Sequence, residues 1–328
     1  MSLFLNYVLF LLKTITFVAA ILVTLSGMIV LSKAKDKANN RIKINHLNER
    51  YDTLTQELQE EILSSSQLKT AAKKRKQAIE KLKKKERNRL FYLRFSGDMQ
   101  ATEVHTLREK ITAVLSVATI KDEIVVNIES GGGLVHTYGL CASQLARIRE
   151  QKIPLTVIID KVAASGGYLM ASVANQIIAA PFAIVGSIGV VGNVPNFHRF
   201  LKKHDIDFEQ ITAGEYKRTL TYFGENTPKG RQKFQEEIDN IHQIFKQFIL
   251  QYRPQVDINE VATGEFWFGT DAIALKLIDK MGTSDDYLLQ AAKINDIYEI
   301  DYQERKTIAQ KLAISISKGL AMLKGSVG

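Results

Sequence analysis

Apolar and charged positions divide the chain into four successive parts. Residues 1–32 are almost continuously apolar, with Lys13 as their only charge, whereas 33–88 are highly charged and contain no proline or glycine. Apolar runs of strand length alternate with helical patterns over 89–300, and 301–328 is basic and then apolar. The pattern predicts an N-terminal membrane anchor, a basic helical linker, a folded domain and a C-terminal tail.

The folded part alternates between strand-like and helix-like segments. A long amphipathic helix is predicted for Thr227–Tyr252, and Pro254 ends it. The predicted strands are Leu90–Phe95, Glu123–Glu129, Pro154–Asp160, Gln176–Ala180 and Asp207–Thr212. This alternation predicts an α/β fold with a mostly parallel sheet covered by helices. Periodicity alone does not separate a doubly wound sheet from a spiral β-α-β arrangement.

The apolar N-terminus has the length of one membrane-spanning helix. Thr14–Ser32 is a run of 19 residues without a charge, close to the 20 or so residues that cross a bilayer. A cleaved signal peptide is the alternative, but no positive charge precedes Lys13 and Ser32–Lys35 is a poor cleavage site. We therefore expect an uncleaved single-pass anchor. The lysines and arginine between Lys33 and Lys43 favour a cytoplasmic location for the rest of the chain.

The linker accounts for the chain's whole net positive charge. Residues 33–89 contain 17 basic and 8 acidic side chains, and the full chain has a net charge of +9. A helical pattern runs from Ala38 to Asn88, with a coiled-coil-like apolar stripe formed by Leu47, Tyr51, Leu54, Leu58 and Ile62. Either a solvated spacer helix or a contact with anionic lipid or another subunit fits this segment. We expect no nucleic-acid partner, because the basic run has almost no aromatics and the folded part carries no net charge.

Ser165 lies where a predicted strand changes directly into a helix. The residues around it are small: Ala163, Ala164, Gly166 and Gly167. They permit a tight turn and the close approach of another backbone. A serine hydroxyl at a helix N-terminus meets free N–H groups that favour negative charge, which suits a nucleophile. An ordinary N-cap serine is the simpler alternative.

Two further stretches resemble parts of an active site. Ser130–Gly133 follows a predicted strand, and such a glycine-rich loop can present backbone N–H groups to an oxyanion. Gly214–Arg218 follows the strand-like run Asp207–Thr212 and includes Lys217.

At these places the chain resembles the SohB and signal peptide peptidase A family of membrane-bound serine peptidases. The similar motifs are E-S-G-G-G-L-V-H, D-K-V-A-A-S-G-G-Y, V-G-S-I-G-V and A-G-E-Y-K-R-T, spread in order from about Phe91 to Asp285. The apolar N-terminus and basic linker resemble the SohB branch. Gly131 departs from the family pattern, which usually has proline there, and we expect a looser loop.

The resemblance implies a crotonase/ClpP-like spiral fold and a Ser-Lys dyad without metal or organic cofactor. It implies Ser165 as nucleophile, Lys217 as general base and Ser187 as the serine that orients the lysine. The oxyanion donors would be the N–H of Gly166 and that of Gly132 or Gly133. A lysine amine can serve as base when burial favours its neutral form.

The resemblance also implies a location and an assembly. Relatives are anchored in the bacterial inner membrane, act on peptide or protein substrates and form ring-like homo-oligomers whose serine and lysine can come from neighbouring subunits. Relatives similar to signal peptide peptidase A lie on the outer side of the membrane, which disagrees with the charge count. The side therefore stays open.

Other residues and classes fit less well. None of the six histidines lies in a motif that brings it to Ser165, and His136 is the nearest in sequence. The single cysteine, Cys141, is interpreted as a core residue. A crotonase-like acyl-CoA enzyme would share the fold but needs no nucleophilic serine. A non-catalytic membrane scaffold would not need serine, lysine and both glycine loops together.

Overall fold

A computed structural model describes residues 6–21, 41–83 and 87–303. They divide into two compact units. The described part of the first unit is chiefly a helix, α1, over 6–21. Among the described residues, no helix is both long enough and apolar enough to cross a bilayer. The predicted anchor continues over 22–32, which lies outside the described residues, as does the predicted tail from 304 onward.

The second unit, Ile44–Asp301, is built on a ten-stranded sheet. Along its main path the strands run in the order β1, β10, β2, β3, β4, β6, β9. The pairs from β10 to β9 are parallel. The strands of the path are β1 (Arg41–His46, of which 44–46 belong to this unit), β2 (Asn88–Gly97), β3 (Glu123–Ser130), β4 (Leu155–Ile159), β6 (Gln176–Ala179), β9 (Lys280–Met281) and β10 (Asn295–Gln303). The predicted mostly parallel α/β fold is confirmed.

Three short strands leave the main path and carry the loops of the site. β5 (Val162–Ala164) pairs in parallel with the end of β3 through Ser130 and Ala163. β7 (Ile184–Gly186) pairs in parallel with β5, and β8 (Phe266–Phe268) pairs antiparallel with β7. The chain therefore leaves the main path of the sheet directly after β4, which places the turn that follows β5 beside the carboxyl end of β3.

Helices cover the sheet because their apolar faces and the strands form one core. The central strands are nearly continuous apolar runs, and Ile124, Val125, Val126 and Ile128 are all fully buried, as expected for strands covered on both faces. The helices of this unit are α2 (Leu47–Ile62), α3 (Ser65–Lys83), α4 (Val104–Leu115), α5 (Val135–Glu150), α6 (Gly166–Ala171), α7 (His198–Lys203), α8 (Pro228–Tyr252), α9 (Ile258–Val261), α10 (Gly269–Ala272) and α11 (Ser284–Ala291).

The helical prediction for the linker is wrong at its start. Residues 41–46 form strand β1 beside β10 instead of a helix. The sequence R-I-K-I-N-H alternates between apolar and polar residues, which is strand periodicity, and β10 supplies the pairing partner. The helical pattern holds from Leu47 onward, with a break between α2 and α3 at the predicted run of serines.

The predicted strand Asp207–Thr212 is also wrong. These residues have no regular secondary structure. All of them are exposed, and the Ile211 side chain is 94% exposed. Strand propensity is realised only where a neighbouring strand and a core face are available, and this segment has neither within the described part of the chain.

Candidate active site

Ser165 occupies a strained turn between β5 and α6. Its backbone has φ 52° and ψ −119°, a region that a residue with a side chain seldom adopts. The turn is held by a hydrogen bond from the Ser165 N–H to the Gly186 carbonyl at 2.8 Å, and by one from the Leu169 N–H to the Ser165 carbonyl at 2.9 Å. Its Oγ makes no hydrogen bond to any residue that the structure describes. Ser165 is also partly exposed, which leaves its hydroxyl available for chemistry.

The glycine-rich loop after β3 lies directly against this turn. Gly132 has φ +87°, and a methyl group added to it would lie 2.6 Å from the Gly166 nitrogen and 2.8 Å from Ser165 Cβ. A methyl group on Gly133 would lie 2.0 Å from the Met99 carbonyl oxygen. Both positions therefore require glycine. Gly131 is different, because nothing lies within 4 Å of a methyl group placed there.

The loop and the turn offer two unused N–H donors near the serine. The Gly132 N–H donates to Ser130 Oγ at 3.0 Å. The N–H groups of Gly133 and Gly166, by contrast, have no hydrogen-bond acceptor among the described residues. Gly166 is the first residue of α6, where a backbone N–H has no partner within the helix. Of the two glycines predicted as alternatives in this loop, the geometry favours Gly133 as donor.

An apolar cavity of about 400 Å³ opens beside Ser165. Gly133 and Gly166 line it together with the serine, while α8 contributes one wall. The apolar side chains that line it are Val135, Leu169, Val190, Val191, Ile241, Ile244, Phe245 and Phe248. A cavity of this size and lining suits one large apolar side chain of a ligand.

Ser187 follows β7 immediately and lies beside the Ser165 turn. β5 and β7 pair up to Ala164 and Gly186, so that each serine is the next residue beyond the paired strands. Ser187 has φ 50°. Its N–H donates to the Glu265 carbonyl at 2.7 Å, and its Oγ donates to the Gly264 carbonyl at 3.4 Å. Ser187 therefore follows the strand next to that of Ser165, and its role in orienting the lysine stays a prediction.

Lys217 does not lie with these residues in the described chain. It is exposed, in a segment without regular secondary structure, and it does not line the cavity that contains Ser165. No side-chain hydrogen bond or ion pair of Lys217 is found within the described ranges. Its neighbour Glu215 pairs with Lys229, and Lys233 Nζ lies 5.2 Å from the ring centre of Tyr216. These contacts attach the segment to the start of α8.

The remaining candidates have no part in the cavity. His136 is exposed in the first turn of α5 and does not line the cavity. Cys141 is fully buried, and burial raises the pKa of its thiol to about 12.

One residue at the cavity was not predicted from the sequence. Tyr138 is fully buried and lines the cavity behind Gly166. Tyr138 lies on the buried face of α5, and in the sequence it has the pattern of an ordinary core residue, so nothing marked it as part of a site.

These features define an α/β protein with a serine-centred site beside an apolar cavity. Family models then identify it. The model described as Peptidase family S49 N-terminal matches residues 2–145, and the model described as Peptidase family S49 matches residues 147–297. The chain belongs to peptidase family S49.

Relatives agree with this assignment over nearly the whole chain. A probable protease SohB of Haemophilus influenzae is 44% identical over 321 residues, which covers 93% of this chain and 91% of that protein. A probable protease SohB of Buchnera aphidicola from Acyrthosiphon pisum is 46% identical, covering 98% and 96%. Protease 4 of Salmonella typhi is 27% identical and covers 62% of this chain and 34% of that protein. The chain is therefore a peptidase similar to SohB.

Proposed function

We propose that this peptidase is a membrane-anchored serine endopeptidase with Ser165 as nucleophile and Lys217 as general base. The observation that carries the proposal is the Ser165 turn. Its hydroxyl has no partner in the described chain, two N–H groups without acceptors flank it, and the apolar cavity opens beside it. A nucleophile beside preorganised donors is what acyl transfer requires.

In the proposed mechanism, Ser165 Oγ attacks the peptide carbonyl while its proton passes to the neutral amine of Lys217. The carbonyl oxygen becomes negative and accepts hydrogen bonds from the N–H groups of Gly166 and Gly133. When the tetrahedral intermediate collapses, the lysine ammonium returns the proton to the leaving amine. Water then attacks the ester carbonyl, gives one proton to Lys217, and releases the acid as that proton returns to Ser165. This sequence needs no cofactor.

Lys217 would come to the serine from a neighbouring copy of the chain. Within one chain it is exposed and outside the cavity, and apolar side chains around it, among them Ile211 and Tyr216, are exposed too. Packing this segment against a second copy would cover these side chains and bury the amine, which favours its neutral form. The Ser187 hydroxyl would then accept a hydrogen bond from the lysine amine and orient it. A ring-like homo-oligomer satisfies this arrangement.

The proposed organisation keeps the predicted boundaries, except that the linker from Ile44 onward belongs to the same compact unit as the peptidase domain. Residues 1–32 form a single-pass anchor in the bacterial inner membrane, 33–88 a basic linker, 89–300 the peptidase domain and 301–328 the tail. An apolar cavity beside the nucleophile and an anchor in the bilayer together favour substrates rich in apolar residues. Hydrophobic peptides and damaged membrane proteins have this composition.

Cleavage of an unfolded, hydrophobic protein substrate in detergent tests the proposal. Wild type, Ser165→Ala and Lys217→Ala are compared, with the oligomeric state of each checked by size. We expect the wild type to cleave and both variants to be inert while still assembled. Cleavage by Ser165→Ala at the wild-type rate would overturn the proposal. A serine-directed phosphonate should label the wild type at Ser165. An acyl-CoA hydratase has no nucleophilic serine and should not be labelled.

A further inference from the structure

We propose that Tyr138 and Ser130 are positioning residues that hold the Gly132–Gly133 loop in its oxyanion-binding conformation. This inference rests on the proposed function of Ser165 and names residues behind the site that make no contact with the reacting atoms. The two residues belong to a hydrogen-bond cluster that joins the end of β2 (Gly97 and Asp98), the end of β3 (Ser130) and the start of α5 (Tyr138).

The two hydroxyl groups form the centre of this cluster. Ser130 Oγ and the Tyr138 hydroxyl lie 2.5 Å apart. The Tyr138 hydroxyl also reaches the Asp98 carbonyl at 2.6 Å, and Ser130 Oγ reaches the Gly97 carbonyl at 3.1 Å. The two hydroxyl hydrogens can serve only two of these three contacts. Either Tyr138 donates to Ser130 and Ser130 donates to the Gly97 carbonyl, or Ser130 donates to Tyr138 and Tyr138 donates to the Asp98 carbonyl. Ser130 Oγ retains a lone pair for another donor in either arrangement.

That remaining donor is the Gly132 N–H, at 3.0 Å from Ser130 Oγ. The bond fixes the peptide unit immediately before the one that carries the Gly133 N–H. Gly132 has φ +87°, a conformation that glycine can leave readily because it lacks a side chain. The Ser130 hydroxyl therefore supplies the restraint that the glycine itself does not.

The Tyr138 ring fixes the second donor. A methyl group on Gly166 would lie 2.4 Å from Tyr138 Cγ, so the first residue of α6 packs directly on the ring. The hydroxyl end of the same side chain bonds the loop behind Gly132 and Gly133. One fully buried side chain thus sets the spacing between the two proposed oxyanion donors. Burial raises the pKa of Tyr138, so its phenol stays protonated as the cluster requires.

The cluster should act on the transition state and leave substrate binding nearly unchanged. Ser130 does not line the cavity, and Tyr138 lines it but keeps its ring in Tyr138→Phe, so that removal of either hydroxyl leaves the apolar wall that would bind a side chain in place. A displaced oxyanion donor instead weakens an interaction that grows during the reaction. Losing such a donor costs about 10²–10³ in kcat, and a displaced one should cost less.

The test compares Tyr138→Phe with Tyr168→Phe in the full-length protein. Both tyrosines are fully buried, and each replacement removes one hydroxyl that lies within hydrogen-bonding distance of a carbonyl, that of Asp98 or that of Leu277. For Tyr138→Phe, and for Ser130→Ala, we expect kcat to fall about 10-fold to 100-fold with KM changed less than about 2-fold. For Tyr168→Phe we expect a similar loss of thermal stability without that fall in kcat. Ser130→Thr keeps a hydroxyl and should recover most of the rate lost in Ser130→Ala.

Three outcomes separate the inference from the proposed function. If Ser165→Ala is inert but Tyr138→Phe and Ser130→Ala keep wild-type kcat, the positioning role is wrong and the serine mechanism stands. An equal fall in kcat for Tyr168→Phe and Tyr138→Phe would also overturn the role, because general loosening would then explain both. If Ser165→Ala cleaves like the wild type, the proposed function itself fails.

Discussion

Gly132 and Ser165 approach each other so closely that a side chain on the glycine has no room. A methyl group there would lie 2.8 Å from Ser165 Cβ, well inside normal contact distance. This relationship joins the loop after β3 to the turn after β5, and it follows from the pairing of Ser130 with Ala163. The position of the proposed nucleophile is thus coupled to the backbone that would bind the oxyanion.

Substitution of the loop glycines should reveal this coupling. We expect Gly132→Ala to reduce kcat by at least about 100-fold, because the added methyl group must push the loop or the serine away. Gly131→Ala is the matched control, since open space surrounds that position, and it should keep most of the activity. Steady-state kinetics of both variants provide the measurement. Equal activity of the two would contradict the close packing of the loop on Ser165.

The apolar cavity should determine which substrates are cleaved. Ile244 lines the cavity and is exposed, so Ile244→Glu places a carboxylate at its wall without disturbing the core. We expect KM for an apolar peptide to rise about 10-fold or more because the charge must be desolvated. Gln247→Glu adds the same charge one turn further along α8 and does not line the cavity, so it should have little effect. A similar rise in KM for both variants would exclude the cavity as the side-chain pocket.

Asp122 should make the stability of the fold depend on acid pH. Burial acts to raise the pKa of its carboxyl, but hydrogen bonds from Arg89 and Thr119 outweigh this and lower it to about 2. A lowered folded-state pKa adds stability above the unfolded value, about 3.9, and this contribution is lost as the pH falls towards 2.

The variant Asp122→Asn should therefore be less stable than wild type at pH 7 by about 1–2 kcal/mol, a figure reduced because Arg89 is partly exposed. The difference should shrink as the pH falls from 4 to about 2. Urea unfolding at a series of pH values measures it. A difference that stays constant over this range would show that folding does not lower the pKa of Asp122.

The ion pair between Arg253 and Asp279 should be important for stability. Arg253 is almost fully buried at the end of α8, and it donates to both carboxylate oxygens of Asp279 at 2.7 and 2.9 Å. Asp279→Ala leaves a buried cation without its partner, so we expect a loss of about 3 kcal/mol in the free energy of unfolding. Glu236→Ala breaks an exposed pair with Lys233 and should cost under about 1 kcal/mol. Comparable losses in denaturant unfolding would contradict this assignment.

Local sequence was sufficient to predict the Ser165 turn and the parallel sheet. The buried strands are apolar runs on both faces, and small residues mark the tight turn, so that each signal lies within a few positions. β1 was missed although R-I-K-I-N-H alternates with strand period. Its partner β10 lies about 250 residues further along the chain, and only folding brings the two together.

The site was predicted less completely than the fold. The place of Ser187 follows from the pairing of β5 with β7, and the family motif had already marked it. The role inferred for Tyr138 depends on how the first turn of α5 packs under Gly166, which no local pattern records. Lys217 lies in an exposed segment outside the cavity of Ser165, so the proposed meeting of the two residues requires contacts that one described chain does not make.

The central claim, that Ser165 and Lys217 act together across neighbouring copies, is tested most directly by mixing two inactive variants. Ser165→Ala retains the lysine and Lys217→Ala retains the serine. Subunits of the two are dissociated, mixed in equal amounts and reassembled in detergent, and each variant reassembled alone is the control. Mixed assembly is verified with two affinity tags.

The account predicts that each variant alone is inert and that the mixture recovers up to about one quarter of wild-type activity, the fraction of interfaces that join an intact serine to an intact lysine. An inert mixture, with mixed oligomers present, would contradict a dyad shared between copies. Wild-type activity of Ser165→Ala alone would contradict the serine mechanism as a whole.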